Sequence, residues 1–261
     1  MIQYREMIDR VVNYAKNDSR ILGVAIGGSY AKKEMDEYSD LDFIIVVKDV
    51  FYEQITEERL NIVSQFGKAL SAFSGEHVGE PRLIICLYDD PLLHCDFTFV
   101  ASNESVLGIE KPVILYEVDN CLGRLLFEVN LESKILDVQW IEDRFWVWIH
   151  YATTKIERGE LFEVLDFLSF LRQTVISPLI QLDQGRPPYG SRKIEIYAPL
   201  YVQSLRDTVA IYDKISCLKA VDACIFLYLT LRNNHEVVPR VDAENVVRKY
   251  VQASREAMLK G

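Results

Sequence analysis

The chain has 261 residues, 49% hydrophobic and 26% charged, a balance that excludes collagen-like, disulfide-scaffold and wholly disordered chains. Its formal net charge of −10 argues against a broad basic footprint for DNA. The charge is uneven: residues 1–130 hold 12 Lys and Arg against 22 Asp and Glu, whereas residues 131–261 hold 17 of each. An acidic first half suits either a solvated surface or carboxylates gathered for divalent metal and a cationic substrate.

Met7, Val11, Val12, Tyr14 and Ala15 recur at helical spacing and predict a first helix over 1–17. Ile21–Ile26 reads as a buried strand, Ser29–Met35 as a brief helix, and Leu41–Val47 as a second buried strand. Residues 51–73 keep helical spacing through Ile55, Leu60, Val63, Phe66, Ala69 and Leu70. Arg82–Tyr88 and Leu92–Val100 follow as strands joined by Asp89-Asp90-Pro91, and Val113–Val118 as an edge strand. The expectation is a mixed α/β (α+β) unit of about five strands over 1–128.

Strand signals then stop. Helices are predicted over 134–157, 160–182, 196–213, 216–231 and 242–259, an all-α bundle over 129–261. Five cysteines without a CxxC or a nearby His pair give neither a zinc site nor a disulfide framework. The start lacks the apolar run of a secretory signal, and no stretch approaches the roughly 18 apolar residues of a membrane span. A cytoplasmic protein with no membrane partner is expected.

The chemistry concentrates in Gly27-Gly28-Ser29-Tyr30-Ala31-Lys32-Lys33 and the Asp40-Leu41-Asp42 that follows. A strand ends in two glycines, which allow a tight turn and close approach of backbone to ligand. The free N–H groups after Gly28 and the Ser29 hydroxyl make an anion site, and Lys32 follows within reach of phosphates. Asp40 and Asp42, at i and i+2, share a face of the next strand. Two carboxylates on one face repel unless a cation lies between them, and oxygen-only ligands suit Mg²⁺. A phosphate cradle beside a metal-holding pair is what transfer from a nucleoside triphosphate requires.

The motif G-S, ten residues, then D-x-D resembles the DNA polymerase beta-like nucleotidyltransferase superfamily. The form GGSYAKKEMDEYSDLDF is most similar to the small antibiotic nucleotidyltransferases that modify lincosamides and aminoglycosides. Lys33 departs from it, standing where many members carry glycine. VILYEVDN resembles the edge strand that ends such domains, and WIHYATTKIERGEL their first bundle helices.

The resemblance implies a third carboxylate, at Asp96, as metal ligand and general base beside Asp40 and Asp42. It also implies Mg²⁺, two ions in all, and ATP or another triphosphate as donor. Lys155 matches a lysine that approaches the triphosphate in relatives. His94 shares a strand face with Asp96 but reads first as a sheet-surface histidine, and Glu142 and Asp143 as exposed helix acids. The expected activity is transfer of AMP from ATP to a hydroxyl of a small molecule, an aminoglycoside or lincosamide antibiotic. Other readings are a protein or RNA acceptor, or an inactive nucleotide-binding scaffold. Some relatives pair into homodimers, and the aromatic-rich bundle offers such an interface.

Overall fold

The structure is a computed structural model and describes residues 2–104, 111–123 and 136–260. The chain divides into two compact units, Met1–Leu131 and Glu132–Gly261. The boundary expected at 128/129 lies outside the described residues.

The first unit runs α1 (Ile2–Asn17), β1 (Ile21–Ile26), α2 (Gly28–Lys32), β2 (Leu41–Val47), α3 (Tyr52–Ser64), β3 (Lys68–Gly75), β4 (Glu80–Asp89), β5 (Leu93–Ala101) and β6 (Val113–Glu117). Six strands form one mixed sheet in the order β3-β4-β5-β2-β1-β6. All pairings are antiparallel except the central one, β2 with β5.

Alternation along β2 decides the two faces. Leu41, Phe43, Ile45 and Val47 point to one side and join Phe97, Phe99, α1 and α3 in the core, with Phe43 and Phe97 stacked 5.1 Å apart. Asp42, Ile44 and Val46 point to the other side. There a smaller cluster of Ala25, Val46, Val100 and Leu122 covers only part of the sheet.

Two sequence expectations change. Residues 65–73 do not extend the helix: α3 ends at Ser64, and Lys68 opens β3, the sixth strand. The helical spacing broke at Gly67, and Ala69 and Ala72 serve the same core from an edge strand instead. The segment 196–213 is not one helix either.

The second unit runs α4 (Val138–Arg158), α5 (Leu161–Leu171), α6 (Ser177–Asp183), α7 (Ile194–Tyr197), α8 (Val202–Asp207), α9 (Lys214–Arg232) and α10 (Val241–Lys260). Pro199 separates α7 from α8, since it cannot donate to a continuing helix and keeps Ala198 out of the helical conformation, at φ −135° and ψ +56°. A π turn at Arg172–Ile176 joins α5 to α6.

Helix ends follow side-chain chemistry. Asp137 accepts from the Trp140 N–H at 2.9 Å and Asp213 from the Ser216 N–H at 2.8 Å, each cap contributing about 1 kcal/mol. Gly159, at φ +76°, ends α4. The core gathers around Phe145, Trp146 and Tyr228, with the Phe145 and Tyr228 rings stacked at 3.8 Å.

Candidate active site

The turn after β1 is built as its glycines require. Gly27 N–H donates to the Asp42 carbonyl at 2.9 Å, tying the turn to β2. Gly28 sits at φ +56° with the Asp42 carboxylate against its Cα, and a Cβ there would lie 1.8 Å from Asp42 Oδ2. Glycine therefore meets two demands at once, a left-handed backbone and the absence of a side chain. Ser29 Oγ is shut off from solvent and has no hydrogen-bond partner among the described residues. Such an atom is costly unless a ligand completes it.

Lys33 closes α2 in the left-handed conformation, at φ +58°. Glycine would adopt that conformation without strain. The loop onward to β2 is held by Asp36, whose Oδ1 accepts from the Tyr38 N–H and the Ser39 hydroxyl at 3.0 Å, and by the Tyr4 hydroxyl on the Glu37 carbonyl at 3.1 Å.

β2 and β5 run parallel in the register Asp42 with Asp96, so the two carboxylates are direct neighbours on the open face. Asp96 is half-buried, and burial raises its pKa. The nearby His94 opposes that rise, and the charge of Asp40 adds to it. His94 Nε2 stands 3.1 Å from Asp96 Oδ1 but is not aligned as a hydrogen bond, leaving Oδ1 buried without a hydrogen-bond partner. His94 is exposed on the sheet surface, as expected, with Asp96 beside it on the same face. Asp40, half-buried, lies one residue before β2.

Among the described residues, no three His, Cys, Asp or Glu side chains converge closely enough to hold a metal alone. The donor set still fits Mg²⁺, which commonly takes one or two carboxylates and completes its shell from phosphate and water. A cleft of about 310 Å³ opens over this face, lined by Gly27, Asp42, Asp96, Ile44, Leu83 and Thr98 among others.

The remaining residues sort by partner. Lys32 is exposed on α2. Lys155 bonds Glu160 and lies 5.3 Å from the Tyr151 ring centre. Asp143 pairs with Arg240.

Glu142 is not an exposed helix acid. It is 1% exposed and accepts from the Tyr228 hydroxyl at 2.5 Å, the Arg240 N–H at 2.7 Å and Arg232 at 3.2 Å. Burial pushes its pKa up, and these donors outweigh burial, leaving it lowered.

Only Trp146 of the three tryptophans is fully buried. Trp140, Trp148, Phe170, Phe167 and Tyr151 instead form a chain of rings on α4 and α5, with successive centroids 5.5, 5.3, 5.4 and 4.9 Å apart.

A glycine turn, an orphaned serine hydroxyl and two registered carboxylates thus meet on one mixed sheet. Residues 1–82 match the family model of streptomycin adenylyltransferase, so the chain resembles the nucleotidyltransferase superfamily in its antibiotic-modifying branch. The match spans less than half of the chain. No curated protein matches it.

Solved structures resemble it loosely. An aminoglycoside 6-adenyltransferase from Bacillus subtilis shares 17% identity over 95% of this chain and 97% of that one, with a TM-score of 0.40. A spectinomycin adenyltransferase AAD(9) from Enterococcus faecialis, with ATP and spectinomycin, shares 14% over 97% and 99%, with a TM-score of 0.32. A STING-associated CdnE c-di-GMP synthase from Capnocytophaga granulosa shares 14% over 88% and 81%, with a TM-score of 0.29. At these scores the likenesses support no detail of the site. Among the described residues no helix is long and apolar enough to cross a membrane.

Proposed function

We propose that the chain transfers AMP from ATP to a hydroxyl of a small-molecule antibiotic, an aminoglycoside or lincosamide, with Mg²⁺. The register that sets Asp42 beside Asp96, next to the Gly28–Ser29 turn, carries this reading. Ser29 Oγ and the turn's N–H groups receive phosphate oxygens, which supply the partner the hydroxyl lacks. Asp42 and Asp96, with Asp40, hold Mg²⁺; when bound it neutralises charge on the phosphate oxygens.

The acceptor oxygen attacks the α-phosphorus, the bond to pyrophosphate breaks, and Asp96 takes the hydroxyl proton. Lys32 and Lys155 complete the proposal as cations for the triphosphate. The match of residues 1–82 to streptomycin adenylyltransferase supports the donor and acceptor class.

The test incubates the full chain with Mg²⁺, each nucleoside triphosphate and a panel of aminoglycosides and lincosamides, and reads acceptor mass. The expected result is a gain of one nucleoside monophosphate, lost with a chelator and in Asp42→Asn. Undiminished transfer by Asp42→Asn would sink the metal role. No adduct on any compound, with triphosphate still bound, would reject the acceptor class.

A further inference from the structure

The open face of the sheet does not end at Asp96. In register, Asp42 neighbours Asp96, Asp96 faces Ile85, and Ile85 faces Phe73, a straight row across β2, β5, β4 and β3. Directly paired residues present their side chains to the same face, so all four stand on the face that carries the carboxylates. With neighbouring strands about 4.8 Å apart, Ile85 lies about 5 Å and Phe73 about 10 Å from Asp96.

The next row repeats the pattern, with His94 facing Leu87 and Leu87 facing Ser71. Phe73 is 46% exposed and Leu87 37% exposed, although both lie in a sheet whose opposite face is packed dry. The Phe73 ring leans on His77, with centroids 5.6 Å apart, which steadies it at the sheet edge. An apolar strip one ring wide thus begins at the proposed base and runs outward.

We infer that Phe73 and Ile85 are acceptor-specificity residues: they seat the C–H face of a saccharide, cyclitol or similar saturated ring whose reactive hydroxyl lies at Asp96. This rests on the transfer reading and names the residues that seat its acceptor. Saturated rings carry hydroxyls and amines at their rims and C–H bonds on their faces, so a ring laid on Ile85 and Phe73 turns its polar groups away from the strip. The separation of about 10 Å matches one ring plus its linkage to a second. An acyclic amino alcohol of equal polarity has no such face and gains nothing there. The strip selects by shape, while the surrounding acids select by charge.

The test compares wild type with Phe73→Ser and Phe73→Tyr, using streptomycin, spectinomycin and lincomycin as ring probes and N-methylglucamine as the acyclic control. Phe73→Ser should raise the KM of a transferred ring acceptor about tenfold while kcat and ATP affinity hold, and Phe73→Tyr should restore it. An unchanged KM in Phe73→Ser, or a loss confined to kcat or ATP affinity, would overturn the assignment.

Binding is read separately by saturation-transfer NMR, which needs no turnover. Ring probes that contact wild type and lose contact in Phe73→Ser, with no transfer detected, would support the strip and reject the transfer reading. Ring probes that contact neither protein, or bind no better than N-methylglucamine, would overturn the strip.

Discussion

At Gly28 the backbone and the chemistry are fixed by one missing atom. Alanine there would place its Cβ 1.8 Å from Asp42 Oδ2 at a φ of +56°. Left-handed strain alone costs about 1–2 kcal/mol, and the collision must also displace the carboxylate. We expect Gly28→Ala to lower the melting temperature and remove measurable transfer; a variant with both at wild-type levels would refute the tight contact. Asp96 runs the other way. Its pKa is raised in the fold, so between the unfolded and folded values the native chain binds more protons, and stability falls as pH rises through that window. Asp96→Asn should therefore melt higher than wild type at pH 7 in the absence of ligand, with the difference shrinking in acid. Calorimetry at two pH values checks both halves of the statement.

Among elements, the strands with branched residues were legible, and so was the site turn. β1, β2, β4 and β6 stand out as Val-, Ile- or Leu-rich runs, and β5 as an alternating run around Phe97, Phe99 and Val100. β3 does not: KALSAFSG has no β-branched residue, and Ala69 and Leu70 continue the helical rhythm of α3. Its strand conformation comes from pairing with β4, a contact that local sequence does not encode. Pro199 was a visible stop signal inside the segment 196–213 and outweighed its apolar spacing.

In the site, the residue types and the turn could be read, but not the register that makes Asp42 and Asp96 neighbours. The burial of Glu142 was equally hidden, because it depends on donors 86 to 98 positions away. That carboxylate ties α4 to α9 and to the residue preceding α10. Glu142→Ala would leave the Tyr228 hydroxyl, the Arg240 N–H and part of Arg232 unpaired, and we expect a loss of about 3 kcal/mol in urea unfolding. Its lowered pKa contributes stability at neutral pH that is lost as pH falls through the folded value. The variant should therefore approach wild type in acid.

At the scale of the molecule, the first 130 residues carry the entire net charge of −10. A cationic acceptor would be drawn to that unit over a distance of about 10 Å at 0.1 M salt and about 3 Å at 1 M. We expect kcat/KM for a polycationic aminoglycoside to fall with added salt and that for a singly charged lincosamide to change little. Equal slopes for the two would show that the charge does not steer. The parallel pair at the centre of the sheet has a further meaning in time. The glycine turn and Asp42 are near neighbours in the chain, whereas Asp96 follows 54 positions later (96 − 42). At ribosomal speeds of about 5–20 residues per second, that gap is roughly 3–11 s. Throughout it the nascent chain can shape its phosphate turn without the second carboxylate, and the repulsion between the two acids is first felt when β5 docks and closes the sheet.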